Sequence, residues 1–143
     1  PYHQALQTLI DETSARFGVA VLIDCHSMPS ALAVPDVVLG DRYGASAGAG
    51  LTRRAVDAFA RAGFSVAHNT PYAGGHTTVR YGRVEEGRHV LQIEINRALY
   101  LNEERVSKKP GFQILRARLE KVMAELVAMP LSDLGAALPE AAE

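Results

Sequence analysis

Five consecutive apolar residues, Val19-Ala20-Val21-Leu22-Ile23, stand between Gly18 and the polar run Asp24-Cys25-His26-Ser27. A run this short, rich in β-branched side chains, is the pattern of a strand buried on both faces, which occurs in parallel or mixed sheets. Such a strand needs a cover on each side, and amphipathic helices are the usual one. The sequence supplies them. Leu6, Leu9, Ile10 and Phe17 fall near helical spacing and predict a helix over 2–16 that Gly18 stops. Thr52 to Ala62 predicts another, with Ala55, Val56, Phe59 and Ala60 on one side and Gly63 closing it. Pro110-Gly111 opens a long final helix in which Ile114, Leu115, Leu119, Val122, Met123, Leu126 and Val127 keep helical spacing. Further strands are predicted at Val37-Val38-Leu39, Phe64 to Ala67 and Val90 to Ile95. The expected fold is α/β, a mixed, mainly parallel sheet with flanking helices. Pro29 and Pro35 bracket a loop, residues 40–50 with their four glycines read as a flexible stretch, and residues 69–78 as a polar loop. The Ala-rich segment 131–143 reads as a peripheral tail.

With 15 Lys plus Arg against 16 Asp plus Glu, and no basic run, the chain has no field that would attract a phosphate backbone. Nucleic acid is therefore not an expected partner. A single cysteine excludes an internal disulfide and a Cys-x-x-Cys zinc site, and no apolar run approaches the roughly 20 residues that span a bilayer. A soluble cytoplasmic protein with no membrane partner is expected. The 143 residues suffice for one domain with a core, yet the first residue is Pro1 rather than Met.

In α/β sheets ligands gather beyond the carboxyl ends of strands, so the segments after each strand hold the candidate chemistry. His26 follows the first strand, where Asp24 or a backbone carbonyl could fix its tautomer as a metal ligand requires; a lone histidine of this kind is more often a hydrogen-bonded loop or core residue. Cys25 reads as a small packed residue. Asp41 and Arg42, after the second strand, read equally as a local ion pair or as substrate contacts. No phosphate-binding glycine motif accompanies them. Asn69 through Gly82 reads structurally as a long loop and functionally as a mobile flap. Tyr72, His76 and Arg80 would give it a phenol, an imidazole and a guanidinium, and the planar fork of Arg80 suits a carboxylate. Glu94 interrupts an apolar strand; a carboxylate there is costly unless paired or used, and burial would raise its pKa toward that of a general base.

Taken in order, Asp24-Cys25-His26-Ser27-Met28-Pro29, Val38-Leu39-Gly40-Asp41-Arg42-Tyr43-Gly44, Asn69-Thr70-Pro71-Tyr72-Ala73-Gly74-Gly75-His76 and Gln92-Ile93-Glu94-Ile95-Asn96-Arg97-Ala98-Leu99-Tyr100 resemble the N-formylglutamate amidohydrolase family. The resemblance runs from about Tyr2 to Leu126. It implies a relation to zinc carboxypeptidases and to succinylglutamate desuccinylase and aspartoacylase enzymes, hence a zinc-carboxypeptidase-like fold. By the same resemblance His26 matches a zinc ligand and Glu94 the catalytic glutamate. Tyr72, Arg80, His76, Asn69 and Arg42 match substrate contacts. The family's early His-x-x-Glu zinc motif has no counterpart: His3, His26, His68, His76 and His89 are followed three residues on by Leu6, Pro29, Pro71, Val79 and Gln92.

The expectation from this resemblance is the C-terminal portion of a single amidohydrolase domain, incomplete at its N-terminus, spanning 1–143. The remaining zinc ligands would lie in a missing N-terminal segment. The implied reaction is zinc-dependent hydrolysis of N-formyl-L-glutamate to formate and L-glutamate, a step of histidine breakdown, with the chain inactive by itself because one histidine does not define a catalytic zinc site. The partners expected are a small N-acyl amino acid substrate and either the missing segment or a second copy of the chain. Two alternatives stand beside this one: a related zinc acylase acting on another N-acyl acidic amino acid, and a non-catalytic ligand-binding module of the same fold.

Overall fold

A computed structural model describes residues 1–30 and 35–134. The elements are α1 (Tyr2–Phe17), β1 (Ala20–Met28), β2 (Val37–Gly40), α2 (Ala49–Arg61), β3 (Val66–His68), α3 (His76–Tyr81), β4 (Arg88–Asn96), β5 (Leu101–Asn102), β6 (Ser107–Lys108) and α4 (Phe112–Val127). The main sheet has the order β1-β4-β2-β3, with β1 parallel to β4, β2 parallel to β3, and β2 antiparallel to β4. It is thus mixed and mostly parallel, as expected, but β1 is an edge strand: Val21 is exposed and Leu22 and Ile23 are half-buried, so the run expected to be buried on both faces is not. β5 and β6 form a separate antiparallel pair.

The period of two along each strand divides the sheet into two faces. Val37, Leu39, Leu91 and Ile93, with Ile23 and Ile95, meet Leu51, Ala55, Phe59, Leu115, Val122 and Leu126 of α2 and α4 in the larger core. Ala20 and Val90, with Leu22, meet Leu6 and Ile10 of α1 and Tyr81 of α3 on the opposite face. Burying a side chain the size of Leu or Phe stabilises by about 1.5–3 kcal/mol, so the larger core dominates the stability. His89, near the start of β4, is buried, and its Nδ1 accepts the Gly48 N–H at 3.0 Å, which ties the entry of α2 to the sheet.

Helix ends follow their expected signals better than helix faces do. Gly18 ends α1 with φ 73°, donating its N–H to Ser14 O at 2.8 Å. Leu9, Phe17, Ile114 and Val127, however, are exposed rather than part of the apolar stripes, because each helix rests on the sheet or its neighbour along a narrow line. Ala60 is exposed too, and Ala58 takes its place in the core.

β1 extends five residues beyond its apolar run, to Met28, so Asp24, Cys25, His26 and Ser27 lie inside a strand rather than after it. Cys25 is exposed, contrary to the packed role expected of it, on the edge strand of the sheet. Residues 76–81 form a helix where a loop was expected. Three β-branched residues in a row, Thr77, Thr78 and Val79, hide the helical signal, and Thr78 Oγ1 donates to Gly75 O at 2.7 Å to hold the first turn. Leu131–Leu134 forms a short 3-10 turn in which Asp133 pairs with Arg54 and Leu134 packs against the core. The rest of the expected tail, 135–143, and residues 31–34 of the proline-bracketed loop lie outside the described residues. Among the described residues, no helix is long and apolar enough to cross a membrane.

Candidate functional site

The antiparallel step between β2 and β4 decides where the polar residues meet. Gly40 pairs with Gln92 and Val37 with Ile95, so the carboxyl ends of β2 and β3 lie beside the first half of β4. The carboxyl ends of β1 and β4 lie together at the other side of the sheet, at Met28 and Asn96. The four sequence segments therefore do not converge at one edge. They build two groups, one on the sheet face that carries α1 and α3 and one, held by Thr52 of α2 and by His68, the register partner of Leu39, on the face that carries α2.

The first group is centred on Glu94. In the parallel register His26 is the partner of Glu94 and Asp24 the partner of Gln92, so all four side chains start from one face of adjacent strands. His26 Nε2 stands 3.0 Å from Asp24 Oδ2, an oxygen that is buried and accepts no hydrogen bond of good geometry. Asp24 is thus the carboxylate that the sequence suggested for His26. Glu94 is 8% exposed, and its Oε1 accepts a hydrogen bond from Gln92 Nε2 at 3.0 Å. Burial pushes the Glu94 carboxyl above the usual carboxylate range, and the charge of Asp24 adds to it, against the opposing pull of His26, Gln92 and Arg97. Arg97, just past the end of β4, is held by Ser27, through Nε to Oγ at 3.2 Å, and lies 3.5 Å from Glu103.

The second group is centred on Asp41. Its carboxylate is 3% exposed and accepts from Asn69 Nδ2 at 2.8 Å, Thr52 Oγ1 at 2.8 Å and the Gly44 N–H at 3.1 Å, with His68 Nε2 at 2.9 Å. Burial by itself would raise its pKa, but the hydrogen bonds from Asn69, Thr52, Gly44 and His68 outweigh that and hold it below the ordinary value of 3.8. Asp41 therefore makes neither the ion pair with Arg42 nor an open substrate contact. It is the hub that fastens the loop after β2 to the loop after β3.

Asn69, expected to touch substrate, is 6% exposed and spends its side chain on Asp41 and His68, which makes it a support for the loop. It sits at φ 59°, a left-handed conformation that Asn tolerates better than most residues. Thr70-Pro71 is a cis peptide. The flap expected at 69–78 is a loop over 69–75 seated on the sheet: Arg42 N–H donates to Ala73 O at 2.7 Å, and Gly75 N–H to Gln92 Oε1 at 2.7 Å. The Arg42 stem lies close to Gly74, where a Cβ would stand 3.0 Å from its Cγ, so Arg42 is tied to the loop that carries Gly75. Tyr72 is half-buried in this loop. His76 and Arg80, on α3, are exposed; the His76 ring lies 5.4 Å from that of His3, and Arg80 lies over the Tyr81 ring at 5.5 Å.

The structure thus joins His26, Glu94 and Arg42 through the sheet and its loop, and gives Asn69 a supporting role. Two residues stand at the site with no role assigned by sequence, Gln92 and Arg97. Both lie within the Glu94 segment, and the period of two already sets Gln92 on the face of Glu94.

As a metal site the donors fall short. His26 and Asp24 make a pair, and among the described residues no three His, Cys, Asp or Glu side chains gather in a way that could hold a metal ion. Catalytic zinc takes three protein ligands. A groove of about 480 Å³ between β1 and α4 includes His26 and Ser27 in its lining, but Ile95, Tyr100, Phe112, Leu115 and Met123 make its walls apolar, and Glu94 does not line it. It is a poor match for an anionic ligand.

With this geometry in place, comparison with known proteins is specific. The model of the family described as N-formylglutamate amidohydrolase matches residues 1–101. N-formylglutamate deformylases of Pseudomonas aeruginosa and Pseudomonas putida are each 34% identical, over 111 and 110 residues, covering 73% and 72% of this chain but 42% and 41% of theirs. The crystal structure of N-formylglutamate amidohydrolase from Ralstonia eutropha JMP134 superposes with a TM-score of 0.79 at 33% identity, over 89% of this chain and 48% of that one. The chain spans less than half the length of the curated relatives it matches.

Proposed function

The chain belongs to the N-formylglutamate amidohydrolase family, and from that premise we propose that it serves the hydrolysis of N-formyl-L-glutamate to formate and L-glutamate. The observation that carries the reading is Glu94: a carboxylate 8% exposed in the middle of a strand, its pKa raised, beside His26 in register. Burying a carboxylate without a fully paired partner is costly, and a raised pKa suits a proton acceptor working near neutral pH.

In this reading Glu94 takes a proton from water as the water oxygen bonds to the formyl carbon. It then delivers that proton to the nitrogen as the C–N bond breaks, which releases formate and the amine of glutamate. Arg42, tied to the loop 69–75 at Ala73, binds a substrate carboxylate, with Arg80 of α3 as the second guanidinium. Tyr72 or His76 donates to the oxygen of the tetrahedral intermediate. The zinc-carboxypeptidase relation and zinc itself belong to the same proposal, with His26 as the ligand from this chain. His26 and Asp24 fall short of a complete donor set, so no step is derived through the metal, and the chain by itself is expected to turn over little or no substrate.

The test is formate release from N-formyl-L-glutamate by the protein purified from its native gene, with the 143-residue chain assayed beside it. Release that disappears in Glu94→Gln supports the reading. Release retained in Glu94→Gln removes Glu94 from the role, and no release by the native protein supplied with zinc overturns the function.

A further inference from the structure

Gln92 is 4% exposed and makes two hydrogen bonds whose directions are not interchangeable. Gly75 N–H can only donate, so the amide atom that meets it at 2.7 Å must be Oε1. That choice fixes the amide, and Nε2 is left to donate to Glu94 Oε1 at 3.0 Å. The approach is close: a Cβ at position 75 would lie 3.2 Å from Gln92 Oε1, so the amide would have to give by a few tenths of an ångström. Asp24 and His26 of β1 and Arg97 past β4 are the titratable groups that act on Glu94, β2 opposes it with Val38, and of the ionisable side chains of α3, His76 and Arg80 are exposed while the buried Tyr81 spends its hydroxyl on His3.

We propose that Gln92 is a positioning residue that locks the Glu94 carboxylate to the loop 69–75, holding Glu94 Oε1 as an acceptor and leaving Oε2 as the oxygen that exchanges protons with water and substrate. The proposal rests on the reading of Glu94 as the proton acceptor. The seated loop and the working carboxylate then form one unit. The Gly75 N–H sets the amide, the amide sets the carboxylate, Tyr72 is carried by the same loop backbone that makes the first of these bonds, and Arg42 is fastened to that loop through its N–H to Ala73 O. An error of about 1 Å in a catalytic group can cost on the order of 100-fold in rate, so a single relay of this kind is worth keeping in a buried position.

Two substitutions separate the halves of the relay. Gln92→Met has similar length and neither bond. Gln92→Glu keeps an acceptor for Gly75 N–H and loses the donor to Glu94. Each is read in the protein from its native gene by kcat and KM for N-formyl-L-glutamate, and by hydrogen exchange of the Gly75 amide. The expected result is a fall in kcat of roughly 10- to 100-fold in both variants, with KM changed less than about threefold in Gln92→Glu. Gly75 protection should be lost in Gln92→Met and kept in Gln92→Glu. A merely structural Gln92 predicts that kcat follows Gly75 protection, so wild-type kcat in Gln92→Glu with Gly75 protected overturns the proposal, as does protection unchanged in Gln92→Met. Glu94→Gln is assayed in parallel: if it retains formate release, the reading of Glu94 has failed, while Gly75 exchange still reports separately on the relay.

Discussion

Asn69 and Asp41 clamp one another in both directions. Asn69 Nδ2 donates to Asp41 Oδ1 at 2.8 Å, and Asn69 Oδ1 accepts the Asp41 backbone N–H at 3.0 Å. One buried amide thereby joins the loop after β2 to the loop after β3, 28 residues apart. Asn69→Gly keeps the left-handed backbone at φ 59° and removes the clamp together with the contact to His68. A hydrogen bond to a charged group contributes about 1.5–3 kcal/mol, so Asn69→Gly is expected to lower the urea-unfolding free energy by roughly 2–3 kcal/mol. Asn69→Ala should lose about 1 kcal/mol more for the backbone strain. Equal losses in the two variants would show that the conformation is not held by the clamp.

The carboxylate at the hub gives the chain an acid limit. Asp41 has a folded pKa below its ordinary 3.8, so the folded state releases this proton more readily than the unfolded state does. Its contribution to stability is therefore full above 3.8 and is lost as pH falls through the depressed folded value. Urea unfolding followed from pH 7 to pH 2 should show stability falling below about pH 4. Asp41→Asn should be less stable at neutral pH and show a shallower fall. A variant curve parallel to that of the wild type throughout would assign the acid limb to other carboxylates.

Glu94 has the opposite sign. Its folded pKa lies above the ordinary 4.5, so ionisation is easier in the unfolded chain, and stability declines as pH rises from the unfolded value to the folded one. At neutral pH, above the ordinary 4.5, the wild type carries a penalty of this kind. Glu94→Gln, in chelator-treated protein, is expected to be more stable than wild type at pH 7 and equal to it near pH 4. It would gain stability while losing the proposed proton acceptor, the trade expected of a buried catalytic carboxylate. A variant less stable than wild type at pH 7 would mean that the charged form is compensated better than its surroundings indicate.

How far the sequence could be read depended on the range of each signal. The apolar runs at Val19–Ile23 and Val90–Ile95 announced strands, and the ordered motifs announced the family, because both are local in sequence, but burial on both faces holds for β4 and not for β1, which lies at the sheet edge with Val21 exposed. Glu94 was legible for the same reason, as a charge inside an apolar run. The continuation of β1 through Asp24 and His26 was not legible, since polar residues inside a strand are tolerated only because β4 lies alongside them. α3 was masked by its β-branched residues, and the fate of Asn69 by a partner 28 positions away. Gln92 shows the middle case. Its position on the Glu94 face followed from alternation, but its bond to Gly75 required knowing that the loop folds back over β4.

That return of the loop depends on Gly40, where β2 meets it. A Cβ at position 40 would stand 2.7 Å from Ala73 C, 2.8 Å from Gly74 N and 2.9 Å from Ala73 O. These are backbone atoms, which cannot rotate aside as a flexible side chain would, and the Arg42 N–H bond to Ala73 O at 2.7 Å fastens the same contact. Gly40→Ala must therefore push the loop off β2, at a cost of about 1–3 kcal/mol for overpacking. Gly111, at the start of α4, has nothing within 4 Å of its would-be Cβ and an ordinary φ of −76°. Gly111→Ala is expected to be neutral or to stabilise by up to about 1 kcal/mol, through the smaller entropy of its unfolded chain. Because Gly75 follows Ala73 by two residues, Gly40→Ala should also speed hydrogen exchange at the Gly75 amide, whereas Gly111→Ala should not. If the two variants unfold at the same urea concentration and leave Gly75 exchange alike, the loop is not seated on β2, and the geometry that ties Arg42 to the loop bonded to Gln92 would have to be abandoned.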